Sequence, residues 1–352
     1  MRVSIIILTW NGLEYTKKCL DSIYKNTNFN LCKIIVVDNG STDGTVEYLQ
    51  TIPWINPIFN SENLGFVKGN NTALKFINCQ NDVILLNNDT EIHDSKWIEK
   101  LQNSAYYDEK IGIVGCRIRR LGRDIMQHVG TYMPDFTYWG QQIAANEKDI
   151  NQYNRDHDVE GVVFACVYIK ASLMKMIGYL DEDYFSYYED TDYCLKAIQA
   201  GFRVICCGSL TIEHREHGST SANNVCQETM FLDSQKIFLR KWEKYLKNRL
   251  DISANWHSTF SRPIGYANSS KLMAKALEDA KIKIAYKYIY GVGTVFPIDE
   301  DQSTGDYRID IIKRRTTKED APHIIYAQAD AFEYIKKGYK IGFTMLETTG
   351  IP

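Results

Sequence analysis

"VILLNNDTEI", residues 83–92, is the stretch on which the fold turns. Val83 to Leu86 form an unbroken apolar run, the pattern of a strand covered on both faces in a parallel sheet. The run passes without Gly or Pro into Asn87, Asn88 and Asp89. Taken alone, that ending favours an Asn-rich turn, because Asn and Asp bond their own backbone and accept turn geometry. It also suits a ligand site. Ligands gather at the carboxyl ends of parallel strands, and an oxygen-bearing side chain there can hold a hard cation and, through it, a phosphate.

The flanking sequence alternates strand and helix. "VSIIIL" (3–8) reads as a first strand, and Leu13, Leu20, Ile23 and Tyr24 recur at helical spacing after the Asn11-Gly12 turn. "KIIVVD" (33–38) is the next strand, followed by the turn "NGSTDG" and a helix from about Thr45. "INPIFN" then leads through a loop into a helix within "SENLGFVKGNNTALKFI". Residues 111–118 and 161–169 read as further strands, "DTDYCLKAIQAG" as a helix closed by Gly201, and "FRVICC" as another strand. Residues 227–250 make a long amphipathic helix with a basic end. Strands separated by single helices imply right-handed crossovers and an α/β sheet with helices on both faces.

After "NWHSTFSRPIGYANSS" the pattern restarts. A helix is expected at about 268–281, strands at 284–290, "RIDIIK", "HIIYAQ" and "KIGFTML", and a helix near 330–337. The chain stops at "ETTGIP" without a closing helix, which reads as a second α/β domain cut short. The expected domains are residues 1–250 and a smaller or truncated 251–352.

Bulk properties narrow the function classes. A length of 352 residues fits two domains, and 44% hydrophobic with 24% charged residues is the composition of a soluble globular protein. A net charge of −3 leaves no basic footprint for nucleic acid. The N-terminal apolar run is too short for a signal peptide, and no run reaches the length of a membrane span. The nine cysteines are odd in number and include no CxxC pair; most sit in apolar runs, as expected of reduced thiols in the cytoplasm. All nine precede residue 227, a composition break that agrees with a boundary near 240–262.

Four loops carry the candidate chemistry: Thr9-Trp10-Asn11-Gly12, Asp38 to Gly44, Asn63 to Asn71, and Asn87-Asn88-Asp89. Each is rich in Gly, Asn and Asp, and all fall on one edge of the expected sheet, which together describes a nucleotide cleft. Asp38 suits a pyrimidine imide N–H, and equally suits capping the helix after its turn. Asp89 would complete a metal–diphosphate site. Further on, "GYLDEDYFSYYEDTDYCLKAIQAG" holds six carboxylates between Asp181 and Asp192. Acids at a helix N-terminus are common because of its dipole. Glu189 and Asp190, however, directly follow Tyr187 and Tyr188, where desolvation would raise a carboxylate's basicity. "TIEHREHGSTS" adds His214 and His217 ahead of a Gly-Ser-Thr loop, a set suited to a cation and a phosphate.

Taken in order, "SIIILTWNG", "IIVVDNGSTDGT", "NLGFVKGNN", "LLNNDT", "GYLDEDYFSYYEDTDYCLKAIQAGFRV" and "EHREHGST" resemble the family 2 glycosyltransferases of the GT-A fold, in the rhamnosyltransferase-like branch of surface polysaccharide synthesis. The likeness covers residues 2–245. It implies that Thr9, Asn11 and Glu14 line the nucleotide, with Asp38 on the base. It places Asn63, Gly65 and Lys68 along the ribose and diphosphate. Asn88 and Asp89 stand where the family has its metal-binding acidic motif, Asp190 with Glu189 beside it matches the catalytic base, and His214 is the cation ligand, with Ser219 at the spacing the family shows. The acidic motif has one acid where many relatives have two or three, so the cation, manganese or magnesium, is expected to arrive mainly with the nucleotide.

The resemblance implies inverting, metal-dependent transfer from a UDP- or TDP-sugar to a hydroxyl of a glycan or lipid-linked saccharide. An acceptor on a lipid carrier would bring the chain to the inner membrane face, although the basic end of the 227–250 helix equally reads as a solvated surface. Two other readings stand beside it. One is a sugar-phosphate nucleotidyltransferase, whose Gly-rich basic loop after the first strand is absent from "TWNGLEYTKK". The other is an inactive carbohydrate-binding or scaffolding module. The segment from Ser261 onward faintly resembles the opening of a GT-B glycosyltransferase domain.

Overall fold

The computed structural model describes residues 2–134, 140–215, 227–249, 252–260, 265–289, 303–327, 329–335 and 337–344. Its contacts divide the chain into two compact units, with the break between Lys241 and Trp242.

The first unit opens as read from the sequence. Strand β1 (Val3–Thr9), helix α1 (Leu13–Asn26), β2 (Cys32–Asp38), α2 (Thr45–Gln50), β3 (Asn56–Phe59), α3 (Gly65–Ile77) and β4 (Val83–Asn87) follow in order. Then come β5 (Thr90–Glu91), α4 (Trp97–Tyr106), β6 (Ile111–Arg120), β7 (Met126–His128), β8 (Thr131–Tyr132), β9 (Gln141–Gln142) and β10 (His157–Val159). The unit finishes with β11 (Cys166–Ile169), α5 (Ala171–Ile177), α6 (Glu189–Gln199), β12 (Arg203–His214) and most of α7 (Gln227–Asn248).

The main sheet runs β10-β12-β6-β11-β4-β1-β2-β3, with β5 on the end of β12 and β7 on β6. Strand β1 pairs in parallel with both β2 and β4, so the strand order reverses there. Strand β11 enters without a crossover helix and pairs antiparallel with β4 and β6, which makes the sheet mixed. Val83 to Leu86 are buried, as an apolar run in the sheet centre requires.

Helices cover both faces. Cys19, Leu20 and Ile23 of α1 join Trp97, Ile98 and Leu101 of α4 in one core with Ile5, Ile7, Val36, Ile84 and Leu86. Each such fully buried side chain contributes roughly 1.5–3 kcal/mol by leaving water. Helix α3 meets the other face, where Leu8 points. A Cβ on Gly69 would lie 2.6 Å from Leu8 Cδ1, so the glycine sets how closely α3 approaches.

The second unit is a four-stranded, all-parallel sheet in the order β14-β13-β15-β16, built from β13 (Ile252–Ser258), α8 (Gly265–Asp279), β14 (Ile282–Tyr288), α9 (Tyr307–Arg314), β15 (His323–Tyr326) and β16 (Lys340–Phe343). Its core gathers Trp256, Tyr286, Ile309, Ile312, Ile324 and Tyr326.

Several expectations are corrected. "RIDIIK" is helix α9, not a strand, because Asp306 caps it by accepting from the Arg308 and Ile309 N–H groups, and Ile309 and Ile312 bury at helical spacing. The residues up to Ser258, where no strand is expected, form β13, a strand with neighbours on both sides. Its polar side chains hide the pattern: Asn255 bonds the Lys318 backbone, and Trp256 Nε1 donates to Ser270 Oγ at 2.8 Å. Strand 284–290 lies at Ile282–Tyr288, and the helix near 330–337 is a 3₁₀ turn at Ala329–Tyr334. "INPIFN" contains edge strand β3, and 161–169 is extended in the sheet only from Cys166. "FRVICC" continues to His214, past an irregularity between Cys207 and Thr211 that contains Gly208. His217, Ser219, Cys226 and the terminal "ETTGIP" lie outside the described residues.

Candidate active site

The carboxyl ends of β1, β2 and β4 border a cavity of about 720 Å³, within the range of small-ligand sites. Thr9, Asn63, Gly65, Asn88, Asp89, Glu189, Asp190 and His214 all line it. The wall also includes Asn39, Gln127, Thr131, Phe164, Phe185, Tyr187 and Phe231, none of which stood out in the sequence as site residues. Gln127 had a signal: Gln-His stands alone in the apolar run "IMQHVG".

The opening stretch divides its labour. Asn88 Nδ2 donates to Thr9 Oγ1 at 3.1 Å and to Thr16 Oγ1 at 3.0 Å, and the two hydroxyls bond each other at 2.8 Å. This buried knot fixes the end of β4 to β1 and α1. The Asn87 carbonyl accepts from Thr90 Oγ1. The two amide residues therefore build the turn, and Asp89 is left facing the cavity. The antiparallel register of β5 with the end of β12, His214 opposite Thr90, then brings His214 to Asp89.

His214 Nε2 lies 3.1 Å from Asp89 Oδ1, yet that buried oxygen accepts no hydrogen bond. On the ring's far side Nδ1 is 2.9 Å from Gln127 Oε1. A neutral imidazole has one N–H, so donating it to Gln127 leaves a lone pair on Nε2 beside a carboxylate oxygen. Two such donors converging without a proton between them suit a shared cation. Among the described residues no three His, Cys, Asp or Glu side chains form a metal cluster, so these residues offer two ligands, and water and a bound diphosphate would complete the set.

The acid loop closes another side. Tyr187 (φ 70°) and Tyr188 (φ 66°) both adopt the left-handed conformation, strained for bulky side chains. The strain turns α6 so that Glu189 and Asp190 form its first turn at the cavity wall. Burial raises the Glu189 carboxyl well above the ordinary range, with the Asp190 charge adding to it. Burial also raises Asp190, against the pull of Thr191, whose N–H lies 2.6 Å from Asp190 Oδ1. The loop is held from two directions. The Phe66 N–H donates to the Phe185 carbonyl at 2.8 Å, and Ser234 Oγ on α7 donates to the Ser186 carbonyl at 2.6 Å. Gly65 (φ +81°) makes room, since a Cβ there would lie 2.7 Å from that same Phe185 carbonyl oxygen.

Four residues named from the sequence stand off the cavity wall. Asn11 laces two loops together: its N–H donates to Ser41 Oγ and its Oδ1 accepts the Thr42 N–H. Glu14 is 74% exposed and pairs with Lys17. Lys68 is exposed on α3. Asp38 is fully buried; Oδ2 accepts the Gly40 and Ser41 N–H groups, while Oδ1 has no partner. Oδ2 thus caps the turn that follows β2.

The family model described as glycosyl transferase family 2 matches residues 4–174. The chain carries a family 2 glycosyltransferase domain. The O-antigen biosynthesis protein RfbC of Myxococcus xanthus is 24% identical over 242 residues, which are 66% of this chain and 18% of that protein. The O-antigen chain rhamnosyltransferase RfbN of Salmonella typhimurium is 26% identical over 216 residues, covering 61% of this chain and 66% of that one. The match thus takes in less than two thirds of either relative. The crystal structure of GalNAc-T7 with UDP, GalNAc and Mn2+ aligns with TM-score 0.55 at 13% identity, covering 80% of this chain and 53% of that one. That likeness is one of fold, and the glycosyltransferase domain has the GT-A architecture. Among the described residues, no helix is long and apolar enough to cross a membrane.

Proposed function

We propose that this chain transfers a hexosyl or deoxyhexosyl unit from a UDP- or TDP-sugar to a hydroxyl of a glycan or lipid-linked saccharide, with inversion, in surface polysaccharide synthesis. The observation that carries this reading is one cavity into which both the Asp89–His214 pair and Asp190 open. The relatives in O-antigen synthesis support the substrate class. The buried free thiols, Cys116, Cys166, Cys206 and Cys207 among them, support a reducing, cytoplasmic setting.

In this mechanism Asp190 takes the proton from the acceptor hydroxyl as that oxygen attacks the anomeric carbon. Its basicity, raised by burial, suits the task at neutral pH. Asp89 and His214 would hold a divalent cation, manganese or magnesium, which when bound neutralises charge on the departing nucleoside diphosphate. Asp38 Oδ1, buried without a donor, would accept a pyrimidine N–H. Thr9, Asn63, Gly65 and Asn88 shape the wall between base and diphosphate. Direct displacement requires no enzyme nucleophile.

A thermal-shift panel of UDP, TDP, GDP and CDP, each with and without Mn2+, tests the site, because a ligand that binds only the folded state raises the melting temperature. A manganese-dependent rise with UDP or TDP is expected, and Asp38→Ala should remove it. No rise with any nucleotide would sink the reading and favour an inactive binding module.

A further inference from the structure

We infer that Gln127 is a positioning residue that fixes the tautomer of His214 and so makes the ring a cation ligand. The inference rests on the cation reading of Asp89 and His214 above. Gln127 is buried on β7, which reaches the site through its pairing with β6, the strand that runs beside β12 and His214. Its Oε1 stands 2.9 Å from His214 Nδ1, opposite the ring nitrogen that faces Asp89.

Three chemical consequences follow from this placement. An acceptor on Nδ1 puts the single imidazole proton there, which exposes the Nε2 lone pair toward Asp89 and the cavity. A hydrogen bond to the far nitrogen also fixes the ring plane. An amide supplies this acceptor without a second negative charge in a buried pocket that already holds Asp89. The opposite amide orientation, with Gln127 donating, would place the proton on Nε2 beside Asp89. The Nε2–Asp89 contact is not a hydrogen bond, which argues against that arrangement.

The test uses the full chain and two readouts besides turnover. Histidine labelled with 15N reports the His214 tautomer in metal-free protein, with His214→Gln identifying its signal among the seven histidines. Mn2+ affinity in the presence of UDP is read by electron paramagnetic resonance of the free ion. The wild type should show the Nδ1–H tautomer. Gln127→Leu should lose that preference and weaken Mn2+ binding by about 10–100-fold, the usual effect of removing a partner of a metal-ligating histidine. Gln127→Glu, whose ionised carboxylate only accepts, should retain the Nδ1–H at pH 8. Circular dichroism and melting temperature confirm that each variant is folded.

An Nε2–H tautomer in the wild type overturns the inference. So does unchanged tautomer and affinity in folded Gln127→Leu while Asp89→Asn loses Mn2+. If Asp89→Asn itself binds Mn2+ as tightly as the wild type, the cation reading fails, and Gln127 has no ligand to position.

Discussion

Glu189 and Asp190 carry an electrostatic cost, which the proposed role of Asp190 as base would explain. Both carboxyls are pushed upward by burial, so over part of the pH range the folded chain holds more protons than the unfolded one. Stability contributed by the protonated pair is therefore present in acid and is lost as pH rises from the ordinary carboxylate range upward. Glu189→Gln should accordingly raise the melting temperature at pH 8 and change it little at pH 4, as scanning calorimetry at the two values would show. Asp190→Asn should lower kcat by about 10²–10⁴-fold, the usual contribution of a general base, without changing UDP affinity. Normal turnover in that variant would remove Asp190 from the chemistry. Gly65→Ala faces a different obstacle, a positive φ together with the Phe185 carbonyl. It should cost about 1–3 kcal/mol in denaturant unfolding and loosen the acid loop.

Helix α7 is the element that holds this loop. Phe238 is fully buried, with its ring 5.0 Å from that of Tyr188, and Gln235 Nε2 donates to the Tyr188 hydroxyl at 3.0 Å. Lys241 reaches Asp181 at 2.6 Å, and Lys196 reaches the same oxygen at 2.7 Å. Two left-handed tyrosines persist only where their surroundings over-determine them. Phe238→Ala should cost about 3–5 kcal/mol through the cavity it leaves. Ser234→Ala combined with Gln235→Ala should lower kcat more than it weakens binding of UDP with Mn2+, because it frees the base-bearing loop and leaves Asp38, Asp89 and His214 untouched. Equal losses in both would indicate that α7 supports the whole cavity.

At the scale of the whole molecule the two units have separate cores, one around Trp97 and the central strands and the other around Trp256 and Tyr286. The candidate site lies wholly in the first unit. Calorimetry of the full chain should therefore show two transitions, only one of which moves with UDP and Mn2+. Ligand at a hundredfold over its dissociation constant should stabilise that transition by about 2.7 kcal/mol. A shift of both together would show that the units unfold as one.

The sequence by itself determined strands β1, β2 and β4 and the helices that follow the first two, since burial on both faces writes itself as unbroken apolar runs such as Val83 to Leu86. It also marked Asp89, Asp190 and His214 through local clusters of Asn, Asp, Glu and His at strand and helix ends, and all three line the cavity. It could not reveal β13, whose Asn, Trp and His satisfy their polar atoms against distant residues, or α9, whose helical state depends on the Asp306 cap. Only the tertiary structure decided that Asn88 is a buried knot, that Asn11 laces loops, and that Gln127 stands behind His214. Those contacts join residues 30 to 87 positions apart, and no local pattern encodes a partner so far along the chain.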